Sequence, residues 1–370
     1  MKILYVLTVG GMTTFFPDLF RRLLDRGDRV DIACNDTHTV KQCYRDWNCG
    51  IYPLSCGRNP FSSGNRDAIR EIRKLVQENQ YDIVHCHSPV AAFCTRVACR
   101  KLRKNGLKVF YTAHGFHFFK GAPAKYWLIF YPLECLCARW TDLLITINQE
   151  DYDRARRKMH AAKVMYVPGV GVDVAKFRDA VCDRKKLREE IGVSEDAFLL
   201  LSVGGLIERK NLRAVMNACE ILDNPDIHYV VVGEGDKEAE IKAHAAGLSC
   251  ADRIHFLGRR EDIPQLCKAS DCFILPSFQE GLPVALMESM ASGLPSLGAD
   301  IRGVTDLIGS ERRFRPTDCE RMAQLIDRMY SDPAFRANAV AEDTAAIEGF
   351  SEETVNHIML DLYGGSNEGQ

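Results

Sequence analysis

The feature that most constrains the fold of this sequence is a repeated alternation of short apolar runs with helical stretches. The apolar runs predict strands at residues 3–7, 29–34, 82–86, 108–112, 142–147 and 163–167, and again at 198–203, 228–232, 254–256, 272–275 and 295–297. In the first series, helical stretches fall at about 65–79, 89–104, 123–139 and 149–158. Such alternation is typical of a parallel sheet covered by helices. We therefore expect an α/β protein with two Rossmann-like, doubly wound domains.

A turn-rich segment separates the two series of strands. Residues 167–173 read VPGVGVD, and their proline and two glycines indicate a domain boundary that could serve as a hinge. We predict a first domain at residues 1–170 and a second at residues 171–350. A final helix is expected at 351–363 with Ser351 as its N-cap, followed by a disordered tail at 364–370.

Two carboxylates flank a predicted helix start in the second domain. The strand at 272–275 is followed by Glu280 in a loop, by Pro283 at the start of a helix and by Glu288 inside that helix. The free N–H groups and the dipole of a helix N-terminus suit phosphate, while carboxylates accept hydrogen bonds from sugar hydroxyls. The pattern indicates a ligand that is both polyhydroxylated and anionic, such as a nucleotide-sugar. The alternative interpretation is a pair of ordinary surface acids.

The stretch from Glu280 to Pro295 reads EGLPVALMESMASGLP, in which seven residues separate Glu280 from Glu288. It resembles the signature of the retaining glycosyltransferases called family 4. The stretch from His114 to Tyr152 is also similar to bacterial transferases that build capsular polysaccharide and exopolysaccharide. The resemblance, which extends over nearly the whole chain, implies a GT-B fold with two Rossmann-like domains facing across a cleft. It further implies that the first domain, completed by the helix at 351–363, binds the acceptor and that the second binds the donor.

Further donor-binding residues are expected in turns of the second domain. Arg209 and Lys210 precede a predicted helix, where a pair of cations is unfavourable next to the positive end of the helix dipole. A nearby anion such as a diphosphate would compensate for this. The alternative interpretation is that both cations are solvated surface residues. The resemblance assigns phosphate binding to Lys210. The family often has an arginine where this chain has Gly205, which leaves Arg209 as a candidate substitute. The resemblance also places the turns at Gly233 and Arg259 beside the nucleotide base.

The first domain offers its own candidates. Gly10 and Gly11 follow the first strand, and their backbone could approach a phosphate or sugar closely, although such glycines often serve steric needs alone. His114 follows another strand, and the resemblance implies that it meets the donor sugar; a single histidine there is otherwise more often structural. His85 and His87 lie two apart on a strand, but two ligands leave a zinc site incomplete, so we predict no metal. We expect His87 to be structural or to line the acceptor site.

Composition restricts the setting and the partners. The 15 cysteines are scattered and show no C-x-x-C motif, which favours a reduced, cytoplasmic setting. No apolar run reaches the roughly 18–20 residues that a spanning helix needs. The net charge of −2 hides an asymmetry, because residues 1–170 hold 26 Lys and Arg against 15 Asp and Glu, a net +11, and the remainder carries −13. No nucleic-acid motif accompanies this basic half, so we expect it to meet an anionic membrane surface, a diphospho-lipid or only solvent.

An aromatic stretch at residues 116–140 is interleaved with lysines and arginines. Apolar bulk mixed with cations can contact a lipid interface or a lipid-linked acceptor, and core packing explains the same pattern equally well. Lipid contact would make the protein peripheral on the inner face of the cell membrane.

The resemblance implies a metal-independent mechanism without a cofactor. The groups expected to neutralise the departing diphosphate are two side chains and two backbone N–H groups, those of Arg209, Lys210, Gly281 and Leu282. Glu280 would hold the hydroxyls of the donor sugar, Glu288 would hold the ribose, and His114 would orient the sugar. We see no carboxylate pair suited to double displacement, so a front-face route is expected.

The predicted reaction moves a hexose-type sugar, with retention, from a nucleoside-diphosphate donor to a hydroxyl of a lipid-linked or saccharide acceptor. We expect a UDP-sugar as donor, and a role in bacterial capsule or exopolysaccharide synthesis. Two alternatives remain open: a nucleotide-sugar epimerase of the same architecture, and a non-catalytic nucleotide-sugar-binding partner of another transferase. A dehydrogenase is disfavoured because both glycine turns lack the G-x-G-x-x-G fingerprint.

Overall fold

The structure is a computed structural model that describes residues 1–57 and 59–364. The described chain forms two compact units. Unit one comprises residues 1–170 and 355–364, and unit two comprises residues 171–354. Of the predicted tail at 364–370, Gly364 ends the last helix, and the remaining positions lie outside the described residues.

Unit one alternates strands and helices along the chain. Its strands are β1 (Lys2–Val6), β2 (Arg29–Cys34), β3 (Ile51–Pro53), β4 (Ile83–His87), β5 (Lys108–Ala113), β6 (Leu143–Thr146) and β7 (Lys163–Tyr166). Its helices are α1 (Pro17–Asp25), α2 (Gln42–Asp46), α3 (Gly64–Asn79), α4 (Pro89–Cys99), α5 (Ala124–Ala138) and α6 (Gln149–Lys158).

These strands form a seven-stranded sheet in the order β3-β2-β1-β4-β5-β6-β7, and every pairing is parallel. Successive strand residues point to opposite faces, so Leu4 and Val6 enter one apolar core while Ile3 and Tyr5 enter another. Burial on both faces explains why β1 is apolar throughout. The strand order reverses between β1 and β4, which is where open α/β sheets bind ligands.

Unit two repeats this arrangement. Its strands are β8 (Phe198–Val203), β9 (Ile227–Val232), β10 (Ile254–Phe256), β11 (Cys272–Leu275), β12 (Ser296–Ala299) and β13 (Arg313–Phe314). Its helices are α7 (Val174–Arg178), α8 (Arg184–Ile191), α9 (Leu212–Leu222), α10 (Glu238–Ala246), α11 (Ile263–Ala269), α12 (Val284–Ala291), α13 (Cys319–Ser331) and α14 (Pro333–Ile347). The last helix, α15 (Glu352–Gly364), begins in unit two and continues into unit one. The parallel sheet has the order β10-β9-β8-β11-β12-β13, with its reversal between β8 and β11.

The prediction of two doubly wound α/β domains is confirmed. Every predicted strand overlaps an observed one, but β3 and β13 were missed. Both are edge strands, of 3 and 2 residues respectively, and are too short to produce an apolar run. The helix predicted at 89–104 was wrong in its length, because α4 ends at Cys99 and a 3-10 turn covers residues 102–105.

The last helix begins as the sequence predicts. The hydroxyl oxygen of Ser351 accepts a hydrogen bond from the backbone N–H of Thr354 at 3.2 Å, which caps α15. Residues 355–364 of this helix belong to unit one, where Tyr363 is fully buried. Within residues 1–57 and 59–364, we find no helix with the length and apolar character needed to cross a bilayer.

Candidate active site

One edge of the sheet in unit two carries the predicted donor-binding turns. Gly205 follows β8, Gly233 follows β9 and Arg259 follows β10. Glu280 follows β11, which pairs with β8 at the point where the strand order reverses. Because these strands are parallel, the turns that follow them lie along the same edge.

Two of these turns approach each other closely because they contain glycine. Gly204 has a φ of 155° and Gly233 a φ of 139°, and a Cβ on Gly233 would collide with the carbonyl oxygen of Gly204. Gly205 is different, since the nearest atom to a Cβ there would be the carbonyl oxygen of Glu234 at 3.6 Å. Backbone packing therefore does not require glycine at position 205.

Arg209 and Lys210 both contact the carboxylate of Glu280. Lys210 Nζ donates to Glu280 Oε1 at 2.8 Å, and Arg209 Nη1 donates to Glu280 Oε2 at 3.0 Å. The loops that carry them are joined by the backbone N–H of Phe278, which donates to the carbonyl oxygen of Arg209 at 2.9 Å. The structure thus brings three of the predicted catalytic residues together in unit two.

Burial and charge act in opposite directions on Glu280. The residue is only 8% exposed, and burial raises the pKa of its carboxyl group. The charges of Lys210 and Arg209 and the hydrogen bonds to the carboxylate together outweigh burial, so this pKa lies below its ordinary value. Glu280 is therefore ionised at neutral pH, with a cation on each oxygen. An anion that enters here can compete with Glu280 for both cations.

A buried arginine, which the sequence analysis missed, supports the Glu280 loop. Arg302 is 5% exposed, and its Nε donates to the carbonyl oxygen of Glu280 at 3.2 Å. It lies just beyond β12, the neighbour of β11, so its position after a predicted strand was the available signal. The adjacent Gly303 has a φ of 80°, and a Cβ there would collide with the carbonyl oxygen of Gly281.

Helix α12 begins immediately after this loop, and no side chain caps its first N–H groups. Leu282, just before the helix, is buried, whereas Gly281 is half-buried. Glu288 is half-buried within α12, and burial raises the pKa of its carboxyl group to about 7, an effect that the charge of Lys176 partly offsets. In the part of the chain that the structure describes, the Glu288 carboxylate has no hydrogen-bond partner. Glu288 therefore titrates close to neutral pH.

In unit one, the glycine pair lies in a 3-10 turn, Gly10–Phe15, which begins four residues after the end of β1. The backbone N–H of Gly10 donates to Asp36 Oδ1 at 2.5 Å, so this donor is already engaged. Gly11 is exposed, and a Cβ there would meet nothing within 4 Å. Gly11 is thus the more accessible of the two to a ligand.

His114 pairs with His87 at the adjacent carboxyl ends of β5 and β4. His87 Nδ1 lies 2.9 Å from His114 Nε2. His87 is 2% exposed, and its Nε2 has no partner among the described residues, whereas His114 is half-buried. Tyr5 stacks on His87 with their ring centroids 5.4 Å apart. The sequence showed that both histidines end neighbouring strand runs but not that their rings meet.

Both imidazoles are neutral at pH 7. Burial lowers the pKa of His114 to about 4 and holds the pKa of His87 well below its ordinary value. One ring must therefore donate the shared proton. A buried N–H without a partner is rarer than a buried lone pair without one, so we assign the donor to His87 Nδ1. His114 then carries its own proton on Nδ1, the ring nitrogen left for a ligand.

A second polar network, centred on His85 of β4, lies next to this pair. The Nδ1 atom of His85 lies 2.5 Å from the Tyr363 hydroxyl, and its Nε2 atom lies 2.8 Å from Thr112 Oγ1. The Tyr363 hydroxyl also hydrogen-bonds to that of Tyr5. Burial, with a smaller effect from His114, lowers the pKa of His85 to about 3. The network joins α15 to β1, β4 and β5 within unit one.

Comparison with known proteins decides the family. Residues 9–176 match the family model described as Glycosyltransferase Family 4, and residues 183–344 match that described as Glycosyl transferases group 1. The chain is also 34% identical to EpsD of Bacillus subtilis, a protein described as a glycosyltransferase, over 98% of this chain and 96% of EpsD. The chain belongs to glycosyltransferase family 4.

A second relative of this transferase is an Escherichia coli enzyme, the UDP-Gal:alpha-D-GlcNAc-diphosphoundecaprenol alpha-1,3-galactosyltransferase. The two are 34% identical over 76% of this chain and 74% of the Escherichia coli protein. Among solved structures, HepE of Anabaena in complex with UDP superimposes with a TM-score of 0.82 at 20% identity, covering 99% of this chain and all of HepE. The likeness to HepE concerns the fold, and the transferase has the GT-B fold of two Rossmann-like domains.

The transferase assembles some of the predicted site residues but not others. In unit two, Arg209, Lys210 and Glu280 are in contact, with Gly281, Leu282 and the start of α12 beside them. Arg259 is exposed and forms no ion pair with any residue in the described ranges. In unit one, the partner of His114 is His87, which the sequence analysis expected to be structural or to line the acceptor site.

Proposed function

We propose that the transferase moves a hexose-type sugar from a UDP-sugar to a hydroxyl of a lipid-linked or saccharide acceptor. The observation that carries the proposal is the Glu280 carboxylate between Lys210 and Arg209, beside the uncapped start of α12. The name of the Escherichia coli relative includes UDP-galactose and a diphosphoundecaprenol-linked sugar, and HepE was crystallised with UDP and with UDP-glucose. These names support a uridine donor and a lipid-linked acceptor.

The first step of the proposed mechanism is capture of the donor diphosphate. Its oxygens compete with Glu280 for Lys210 Nζ and for the Arg209 guanidinium, while the first N–H groups of α12 add donors and a positive dipole end. As the bond between sugar and phosphate breaks, these groups stabilise the charge that develops on the leaving diphosphate. The cations needed for this belong to the protein, so we propose a reaction without a metal ion or cofactor.

The second step is transfer with retention. Glu280, displaced from the cations, accepts hydrogen bonds from sugar hydroxyls, and its ionised carboxylate stabilises positive charge on the ring. The acceptor oxygen attacks from the face that the diphosphate leaves, and its proton passes to an oxygen of the leaving diphosphate. Glu288 accepts hydrogen bonds from the ribose, and His114 donates from Nδ1 to the sugar.

The biological setting is part of the same proposal. Because of the likeness to transferases that build surface polysaccharide, we assign the reaction to bacterial capsule or exopolysaccharide synthesis. A diphospho-lipid acceptor would bring basic unit one to the inner face of the cell membrane, where a cytoplasmic protein can bind peripherally.

The primary test is a thermal-shift comparison of UDP, GDP and ADP. A ligand present at a hundredfold excess over its dissociation constant adds about 2.7 kcal/mol to the stability of the protein, which raises the melting temperature by several degrees. We expect this shift with UDP, its loss in Lys210→Ala, and its retention in Lys242→Ala, which removes an exposed lysine from α10. Absence of a shift with every nucleotide would contradict donor binding.

Stereochemistry and metal dependence are tested in a transfer assay with a diphospho-lipid acceptor. NMR of the product should show the anomeric configuration of the donor, and the rate should survive a chelator. An inverted product would overturn the front-face step, and loss of activity with chelator would overturn the metal-free step. Conversion of the UDP-sugar without acceptor would indicate the epimerase alternative.

A further inference from the structure

The outward surface of α5 is apolar. We define the α5 face as Leu128, Ile129, Pro132, Leu133 and Leu136, whose helical spacing forms one stripe. Leu128 is 77% exposed, and Ile129, Leu133 and Leu136 are each about 40% exposed. A stripe of this kind on a folded surface indicates an interaction site rather than incidental exposure.

The opposite side of α5 is fixed to unit one, so the helix cannot rotate to bury the stripe. Glu134, the only acidic residue in α5, is buried and accepts a hydrogen bond from Arg96 Nη1 at 2.7 Å. The guanidinium of Arg96 also lies over the ring of Tyr111 at 4.3 Å. Trp127 and Tyr131 pack against Phe118 with ring centroids 5.7 and 5.2 Å away. The packing of the opposite side of α5 therefore keeps the α5 face exposed.

Exposed cations surround the α5 face. Lys125 lies in the first turn of the helix, and Arg139 follows its last residue. Exposed Arg100 lies over the Trp140 ring at 5.6 Å, close to that end. Lys158 is also exposed, and its carbonyl oxygen accepts from the Cys135 thiol at 3.8 Å, which places it beside α5. Because Glu134 points inward, no acid of α5 offsets these charges.

We propose that the α5 face docks unit one onto a lipid bilayer that contains anionic lipid. The apolar side chains can enter the boundary of the acyl chains, and the cations that flank them can bind the anionic headgroups. A second copy of this chain is the competing occupant, but a two-fold contact through this face would bring the same cations against one another. The inference extends the proposed function, because a membrane-borne acceptor would then be presented to unit one.

The test is co-flotation of the full chain with vesicles of phosphatidylcholine alone or mixed with phosphatidylglycerol. We expect binding to the mixed vesicles that weakens as salt is raised, since the electrostatic part is screened. In the double variant Leu128→Ser and Leu133→Ser, binding should fall about tenfold or more. A matched control is Val181→Ser with Ile221→Ser, which removes two exposed apolar side chains from unit two and should bind like the wild type.

A charge variant tests the second half of the proposal. Lys125→Glu with Arg139→Glu leaves the α5 face intact and should abolish the preference for phosphatidylglycerol. Equal binding by the wild type and the Leu128/Leu133 variant would overturn the proposal. Concentration-dependent dimerisation that the same serines abolish, without vesicle binding, would assign the face to a second copy. Because vesicle binding needs no nucleotide, failure here is distinguishable from failure of the UDP thermal shift.

Discussion

At the scale of single residues, the proposed mechanism gives Glu280 opposite effects on UDP binding and on sugar transfer. In Glu280→Gln the two cations lose their counter-charge, so UDP should bind several-fold more tightly. The transfer rate should fall by about 10²-fold, because the carboxylate no longer stabilises positive charge on the sugar. Calorimetry and initial rates measure the two effects. Glu240→Gln, which removes an exposed acid paired with Lys237 at 2.6 Å, should change neither. Weaker UDP binding in Glu280→Gln would contradict this role.

His87 provides a second prediction at this scale, because it determines which nitrogen of His114 carries the proton. The amide nitrogen of an asparagine can replace the Nδ1 donor of His87, whereas leucine cannot donate. Long-range ¹H–¹⁵N spectra of histidine-labelled protein without donor should show His114 protonated on Nδ1 in the wild type and in His87→Asn. His87→Leu should give mixed tautomers and about tenfold slower transfer at similar KM. An unchanged His114 tautomer in His87→Leu would refute the assignment.

The sequence supplied candidate site residues but did not show which of them are in contact. Lys210 and Glu280 are 70 positions apart, and their contact depends on β8 and β11 being neighbours. Apolar runs locate strands but do not give their order in the sheet. For the same reason, the His87–His114 pair and the support from Arg302 could not be predicted.

At the scale of elements, α12 presents Glu288 as a group that titrates near neutrality. Its pKa of about 7 lies above the ordinary value, so Glu288 is mainly protonated at pH 6 and mainly ionised at pH 8. The ionised form accepts ribose hydroxyls best, so UDP affinity should rise with pH relative to Glu288→Gln. The relative gain should approach tenfold between pH 6 and 8. The affinities are measured by calorimetry at both pH values, and the ratio between the two proteins cancels the effect of the titration of UDP itself. Parallel pH profiles for the two proteins would disprove the ribose contact.

Elements differ in how well the sequence predicts them. Central strands such as β1 and β8 are buried on both faces, so they give unbroken apolar runs. The edge strands β3 and β13 give none. For α5 the sequence is apolar on almost every side, so periodicity could not distinguish core packing from lipid contact. The Arg96–Glu134 pair and the packing of Trp127 and Tyr131 against Phe118 show which side faces outward.

At the scale of the whole molecule, the topology of each unit determines where its candidate residues lie. Both sheets are parallel and reverse their strand order once, so ligand-binding loops are expected at the carboxyl ends beside each reversal. The His87 end of β4 and the Glu280 loop after β11 lie at these two places. The alternation of strands and helices predicted such edges, but not which loops would flank each reversal.

Acidification should affect the β4–β5 region of unit one and helix α12 of unit two in opposite directions. His85 and His114 have pKa values of about 3 and 4, below the ordinary 6.5, so their contribution to stability is present above pH 6.5 and is lost as the pH falls. Between pH 6.5 and the pKa of the folded state, each of these two histidines lowers the free energy of unfolding by about 1.4 kcal/mol per pH unit. Glu288 has the opposite sign: because its pKa is raised, this carboxyl group adds stability to α12 as the pH falls from about 7 towards 4.5.

Hydrogen exchange at pH 7 and pH 5, corrected for intrinsic rates, measures these changes peptide by peptide. The free energy of opening should decrease for peptides of β4 and β5 and increase for peptides of α12. Glu288→Gln should remove the increase in α12 alone. His160→Gln, which replaces an exposed histidine of unit one, should leave both changes intact. If β4 and β5 kept their protection at pH 5, the pKa values of His85 and His114 would not be lowered in the folded state, and their assignment as buried neutral imidazoles would be wrong.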